Sequence, residues 1–129
     1  MSPADDRLTL RGMRFSGRHG VHAAEKERPQ PFEVDLVLHA DLERPSVSDA
    51  LAETADYGPL FAIVRDIVTG DRSFDLIEAL AGAIADAVLS ATDPAIVDAV
   101  EVRVRKPQAP LPGSFESVQV SLVRRRQAY

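Results

Sequence analysis

Lys106 ends a stretch whose residue pattern predicts a strand with one buried face. Val100, Val102 and Val104 alternate with charged residues, and this period of two is typical of a half-buried strand. The alternation places Lys106 on the valine face, where its ammonium must reach water or find a partner because an unpaired buried charge is costly. Prolines follow that stop the strand and stiffen the next loop: Pro107, Pro110 and Pro112. This position fits either a solvated terminal lysine or an acid–base group.

Glu78 is a second candidate, in the first turn of a predicted helix. It lies three residues after Asp75, so the pair fits an Asp-x-x-Glu capping box that satisfies free amides at the helix start. The same carboxylate is also an acceptor pair suited to the flat amide and amine edge of a guanidine-like ring. A free backbone N–H at Ile77 or Glu78 would complete the recognition of such a ring.

Tyr57 and Glu25 offer proton-transfer groups, each with a simpler structural explanation. Tyr57 follows a predicted helix N-cap and fits an amphipathic residue with a buried ring and a wet hydroxyl. Its phenol could instead donate or relay a proton if a base or water lies within reach. Glu25 fits a solvated loop charge. Near Lys106, it could keep the lysine charged or accept a substrate hydroxyl proton.

A possible metal site is suggested by His19, His22 and Glu25, which form a His-x-x-His-x-x-Glu run. This spacing matches no zinc-protease signature, and a loop can carry these groups without binding an ion. The sequence also contains no phosphate-binding loop, nucleophile elbow or dinucleotide fingerprint. We therefore predict neither a metal nor a cofactor.

The composition excludes several classes of protein. The 129 residues fit one domain, with 45% hydrophobic and 27% charged residues. Cysteine is absent, which removes disulfides and thiolate chemistry and is compatible with the cytoplasm. The formal charge of −5 argues against non-specific nucleic-acid binding. No signal peptide or membrane-spanning stretch is expected, because the most apolar run, Ala79 to Leu89, is too short to cross a bilayer.

These side chains are positioned by a predicted α+β domain of order ββααββ. The strands cover about residues 6 to 16, 32 to 42, 100 to 106 and 117 to 124, and the helices run from Asp56 to Gly70 and from about Asp75 to a point before Pro94. A phase shift at Gly12 predicts a bulge in the first strand, and a long polar loop is expected up to Pro31. Both helices lie on one face of an antiparallel sheet, whose exposed edges suggest a homo-oligomer.

Four motifs together resemble dihydroneopterin aldolases, over about Leu8 to Arg124. They are Gly-Met-Arg-Phe-Ser-Gly-Arg-His-Gly-Val (12 to 21) followed by Glu25, Ser-Asp-Ala-Leu-Ala-Glu-Thr-Ala-Asp-Tyr (48 to 57), Leu-Ile-Glu-Ala-Leu-Ala (76 to 81) and Lys-Pro-Gln-Ala-Pro-Leu-Pro-Gly (106 to 113). The resemblance implies the tunnelling fold, in which four subunits close their sheets into a barrel and two rings stack as an octamer. Active sites in that family lie between adjacent subunits.

The resemblance also implies roles for the candidate residues. Glu78 would bind the amide and amino edge of a pterin, assisted by the backbone of Ile77. Tyr57 of a neighbouring subunit would stack on the substrate or relay protons, and backbone near Ala55 would line the same pocket. Lys106 and Glu25 would act on the hydroxylated side chain and its bound water.

The implied reaction is the retro-aldol cleavage of dihydroneopterin to hydroxymethyl-dihydropterin and glycolaldehyde, a step of folate biosynthesis. The dihydropterin imine can take up the electrons of the broken bond, so neither a metal nor a lysine Schiff base is required. Epimerisation to dihydromonapterin is expected as a side activity. His22 departs from the family, whose members usually carry an apolar or aromatic residue near the pocket, and this puts fine substrate preference in doubt.

Three other functions remain open at this point. A dihydroneopterin triphosphate epimerase would share the acid–base set but would need cations for the triphosphate, and Arg18 and Lys26 are the nearest candidates. A non-catalytic pterin- or purine-binding protein of the same fold would keep Glu78 and lose the chemistry. A metal-dependent relative such as a pyruvoyl tetrahydropterin synthase would need a tighter histidine cluster.

Overall fold

The computed structural model describes residues 5 to 126, which form a four-stranded sheet with two long helices against it. The strands are β1 (Arg7–Gly17), β2 (Gln30–Ala40), β3 (Val97–Lys106) and β4 (Val118–Arg125). The helices are α1 (Ala23–Glu27), α2 (Glu43–Ser48), α3 (Tyr57–Thr69) and α4 (Ile77–Ala91), with a 3-10 turn at Leu51–Glu53. No helix in this described range is long and apolar enough to cross a membrane.

The sheet is antiparallel, in the order β1-β2-β3-β4. Its register shifts between Leu10 and Met13, where Gly12 adopts a φ of 69°. A left-handed backbone favours glycine, so the bulge predicted from the phase shift is confirmed. The amide of Gly12 donates to Asp35 Oδ1 at 2.8 Å, which fixes the bulge against β2.

The core lies between the sheet and the helices α3 and α4. Alternate residues of β2 and β3 supply one side of it, and the spaced apolar residues of the helices supply the other. Its fully buried members include Phe32, Val34, Leu36, Leu38, Leu60, Val64, Leu80, Ile84, Val88, Val100, Val102 and Val104. The inward face predicted for Val100, Val102 and Val104 is confirmed.

The outer face of the sheet carries paired charges. Asp35, on β2, accepts bonds of 2.7 and 2.9 Å from Arg105 on β3, and Arg103 lies 3.8 Å from the same carboxylate. The hydrogen bonds from Arg105 and the other nearby cation lower the pKa of Asp35, against the effect of its burial. The charges on this face therefore neutralise one another across the two strands.

Several predicted boundaries are wrong for identifiable reasons. The loop before β2 contains α1, whose five residues are too few to give a periodic signal. The third strand begins at Val97 and the second ends at Ala40, so Leu42 lies beyond it. Arg126, directly after β4, bonds to Val97 and to Leu89 and Thr92 at the end of α4.

The predicted capping box at Asp75 and Glu78 is wrong. Helix α4 begins at Ile77 with Leu76 as its N-cap, and no side chain caps it. Asp75 instead accepts a bond of 2.6 Å from Lys26 Nζ. The local sequence pattern predicted that Asp75 would cap the helix, but its carboxylate pairs with Lys26, which is distant in the chain.

Candidate active site at the end of β3

Lys106 and Glu25 form a buried ion pair at the end of β3. Lys106 continues the inward alternation of the strand, and each of the two residues is only 8% exposed. The ammonium bonds to Glu25 Oε2, which α1 brings to it from the other side of the site. The solvated alternatives for both residues are therefore wrong, and each charge has the partner that burial requires.

The carboxylate of Glu25 is held ionised by its neighbours. Burial opposes its charge, but hydrogen bonds from Lys106, Gln30 and the backbone of His22 lower the pKa of Glu25 below its ordinary 4.5. Close packing also fixes its place, because a Cβ on Gly20 would overlap the Glu25 carboxyl. Gly20 has a φ of 154°, a conformation that other residues rarely adopt.

Gln30 is a member of this cluster that sequence reasoning missed. Its Nε2 donates to Glu25 Oε2 at 3.0 Å, while its Oε1 is buried without a protein partner in the described structure. An unpaired buried oxygen is a ready acceptor for a water molecule. Gln30 stands before the apolar run of β2 in the sequence, and no local pattern there indicated a role.

A cavity of about 270 Å³ opens in front of the ion pair. The start of α4 forms one wall with Ile77 and Glu78, and the loop after β3 forms another with Ala109, Pro110 and Leu111. Ala79 and Leu80 donate the first bonds of α4, to Leu76, so the amides of Ile77 and Glu78 precede the intrahelical bonds. The exposed carboxylate of Glu78 stands beside those amides.

The two histidines of the His-x-x-His-x-x-Glu run lie in different surroundings. His22 is exposed and lines the cavity beside Glu25, whereas His19 is buried behind it against Phe32 and Phe74. Across residues 5 to 126, no three His, Asp or Glu side chains are grouped closely enough to hold a metal ion.

Tyr57 and Ala55 do not reach this cavity within one chain. Tyr57 begins α3 and is 62% exposed, and Ala55 lines a separate pocket with the last residue of α4, Ala91. Since α4 has 15 residues, about 22 Å at about 1.5 Å per residue, this pocket and the Lys106 cavity lie at opposite ends of the helical layer. The chain thus brings together Lys106, Glu25, Glu78, Ile77 and His22, and leaves Tyr57 and Ala55 apart.

The sequence of this chain is similar to those of known proteins. The sequence model of the FolB dihydroneopterin aldolase family matches residues 8–123. The chain belongs to the dihydroneopterin aldolase family. A dihydroneopterin aldolase of Streptococcus pyogenes serotype M18 (strain MGAS8232) is 40% identical over 121 residues, which cover 94% of this chain and 99% of the relative. That of Bacillus subtilis (strain 168) is 37% identical and covers 94% and 98%.

Solved structures of dihydroneopterin aldolases share the fold. The enzyme of Burkholderia thailendensis bound to guanine superimposes with a TM-score of 0.74 at 28% identity, covering 95% of this chain and 92% of that one. The E. coli enzyme in complex with neopterin gives a TM-score of 0.81 at 23% identity, covering 92% and 98%. The predicted family, its aldolase activity and the α+β architecture of four antiparallel strands with helices are confirmed.

Proposed function

We propose that this dihydroneopterin aldolase performs acid–base catalysis at the Lys106–Glu25 pair, in a site completed by a neighbouring subunit. The buried ion pair facing the cavity is the observation that carries this proposal. It places a proton donor and an acceptor side by side, and the cavity beside them is walled by Glu78. A purely structural ion pair would not require an adjoining cavity.

The chemistry requires two protons to leave and two to arrive, so that no net proton is gained or lost. A base removes the proton from the 2′-hydroxyl of dihydroneopterin, the C1′–C2′ bond breaks, and C2′ with C3′ departs as glycolaldehyde. The bonding electrons enter the C6=N5 imine, where N5 takes up a proton. Return of that N5 proton to the medium and protonation of C1′ give hydroxymethyl-dihydropterin. The Lys106 ammonium can supply a proton while Glu25 keeps it oriented.

Ring recognition is assigned to the start of α4. The Glu78 carboxylate can accept from the pterin's amide N–H and amino group, since two parallel bonds suit that flat edge. The free amides of Ile77 and Glu78 can donate to the ring's acceptors. His22 lines the same cavity and can stack on the bound ring, which would make it a determinant of substrate preference.

A second subunit is needed to bring Tyr57 and Ala55 to the pterin. Two exposed apolar areas lie at opposite ends of the molecule, one with Leu51 and Tyr57 and the other with Leu76 and Leu111. A contact between unlike areas is head-to-tail, and such contacts close into rings. This supports the predicted homo-oligomer, a tetrameric ring or an octamer, whose sheets form a barrel.

Mixing inactive Tyr57→Ala and Lys106→Ala subunits should restore part of the activity. Failure after proven subunit exchange would contradict the shared site.

The reaction is proposed to use neither metal nor Schiff base, since the pterin imine itself accepts the electrons. The test is glycolaldehyde production from dihydroneopterin in the presence of EDTA, with and without borohydride. Turnover should survive the chelator, and borohydride should leave no substrate carbon attached to Lys106 by mass spectrometry. Product formation that depends on added zinc, or a trapped adduct, would overturn this mechanism. The cytoplasmic location stays a prediction.

Epimerisation to dihydromonapterin is proposed as a side activity of the same intermediate. If glycolaldehyde rejoins the bound pterin before release, its other face can be attacked, which inverts C2′. Conversion of the triphosphate would need cations to neutralise it, and one of the two candidates, Lys26, is already paired with Asp75. Product analysis with both the free alcohol and its triphosphate separates these activities.

A further inference from the structure

His19 is a buried titratable residue that the proposed chemistry does not use. It is 1% exposed, and both ring nitrogens are engaged. Nε2 lies 2.8 Å from the Val68 carbonyl oxygen, and Nδ1 accepts from the Phe74 amide at 3.1 Å. A carbonyl can only accept and an amide can only donate, so the proton is on Nε2 and the ring is neutral.

The two bonds join separate parts of the chain. Val68 is in the last turn of α3, and Phe74 is in the loop between α3 and α4. The neighbouring Gly20 amide donates to the Phe74 carbonyl at 2.9 Å, so the backbone of Phe74 is held on both sides. Gly17 leaves the space for this arrangement, because a Cβ there would lie 2.7 Å from the Val68 oxygen.

The backbone around Phe74 connects the two parts of the site, the start of α4 and the Lys106–Glu25 pair. Phe74 leads directly into Asp75 to Glu78, and all four of these residues line the cavity. On its other side, Gly20 packs against the Glu25 carboxyl. A shift of Phe74 relative to Gly20 would therefore move the cavity wall at Ile77 and Glu78 away from the Lys106–Glu25 pair.

We propose that His19, as a neutral imidazole with its proton on Nε2, is a positioning residue that sets the distance between the start of α4 and the Lys106–Glu25 pair. It touches no substrate. Its effect on ligands rests on the proposed function, since it acts through the wall formed by Ile77 and Glu78. The expected consequence is mainly on the affinity for the pterin ring.

The charge state of the ring agrees with its contacts. Burial lowers the pKa of His19 from 6.5, and the charges of Lys26 and Lys106 act in the same direction, against the bond to Val68. Protonation of Nδ1 would remove the acceptor of the Phe74 amide. Lys26 also ties the loop, through Ser73 and Asp75, but that ion pair is partly exposed and screened by solvent.

Two variants separate the two bonds of His19. In His19→Asn, Oδ1 takes the place of Nδ1 and keeps the acceptor for Phe74. In His19→Gln, Nε2 keeps the donor to Val68 and the Phe74 amide loses its acceptor. We expect His19→Asn to bind neopterin within about threefold of the parent, and His19→Gln to bind about tenfold more weakly, with a smaller change in kcat.

The matched control is Val88→Ala, a buried change near the other end of α4. It should lower the melting temperature while the dissociation constant for neopterin stays unchanged. Equal binding by His19→Asn and His19→Gln, or weaker binding in Val88→Ala at equal loss of stability, would overturn the positioning role.

Two readouts do not depend on the pterin or on the variants. Amide exchange of Phe74 and Gly20, whose bonds hold this segment, should accelerate in His19→Gln and not in His19→Asn. This holds even if the parent proved not to bind neopterin, an outcome that would reject the proposed function alone. If the variants do not fold, nitrogen NMR of the parent decides the matter. Finding the proton on Nδ1 would overturn the inference, and finding it on Nε2 would support it.

Discussion

Arg126 and Lys106 are cations beside opposite ends of β3, and they differ in how fully they are bonded. Arg126 donates to the carbonyls of Val97, Leu89 and Thr92 at 2.8, 3.1 and 3.0 Å and to the Thr92 hydroxyl at 2.9 Å. Leu89 and Thr92 lie at the C-terminal end of α4, where a cation suits the helix dipole, and Val97 begins β3. All three guanidinium nitrogens of Arg126 are therefore bonded, and the contact is structural.

The Lys106 end is built differently. Its charge is neutralised by Glu25, but it faces a cavity, and the nearby Gln30 carries an unpaired buried oxygen. The guanidinium of Arg126 is bonded through all three of its nitrogens, whereas the Lys106–Glu25 pair faces a cavity that a ligand can enter. Removing the Lys106 side chain should therefore lower the turnover rate, and removing the Arg126 side chain should lower the free energy of unfolding.

The largest effect is expected for Lys106→Ala. Turnover should fall by about 10²–10⁴-fold, the usual range for removing an acid–base group, while neopterin binding changes little. Steady-state kinetics and fluorescence titration measure the two quantities. Binding and turnover falling together by the same factor would contradict a role confined to catalysis.

Glu78→Ala should show the opposite balance. Removing a charged acceptor of two bonds is expected to weaken pterin binding by about 1.5–3 kcal/mol, roughly 10–150-fold. Glu78→Gln is the matched control, because it keeps the shape and one acceptor and should lose less. Unchanged affinity in Glu78→Ala would remove this residue from the ring-binding wall.

Arg126→Met tests the other end of the comparison. The substitution keeps an unbranched apolar stem and removes the bonds to the α4 carbonyls, so the free energy of unfolding should fall by about 1–3 kcal/mol. Thermal unfolding measures this loss. Folded Arg126→Met should keep the kcat and KM of the parent, and a lower kcat would show that the two ends are coupled.

The smallest effect is expected in the pH dependence of stability. The pKa of Glu25 is lowered from 4.5 on folding, so its contribution is present above about pH 4.5 and is lost as the pH falls through the folded-state pKa. Glu25→Gln should flatten the stability profile in this acidic range. An unchanged slope below about pH 4.5 would show that other carboxylates dominate.

The elements were predictable where one face of an element is apolar. The alternation at Val100 to Val104 gave β3 and placed Lys106 on the inner face, and the phase shift gave the bulge at Gly12. Local pattern could not show that α1 would carry Glu25 to Lys106, because that contact joins residues far apart in the chain. The resemblance to a family supplied the pairing that periodicity could not.

The errors have a similar cause. Asp75 and Glu78 have the spacing of a capping box, but Lys26 competes for Asp75 and the helix starts two residues later. Gln30 lacked any signal, since an amide at a strand start is ordinary in sequence. Its importance comes from Glu25, which reaches it only through the fold.

The crowding around Gly17 and Gly20 has a consequence for mutational surveys of this enzyme. A side chain at Gly17 would displace His19 or Val68, and one at Gly20 would displace the Glu25 carboxyl. In a growth-based scan of all single substitutions, both glycines should therefore score as intolerant as Lys106 itself. Such a scan would therefore assign catalytic roles to residues that only leave space for the site. Assays on purified, folded variants would separate these residues from those that take part in the reaction.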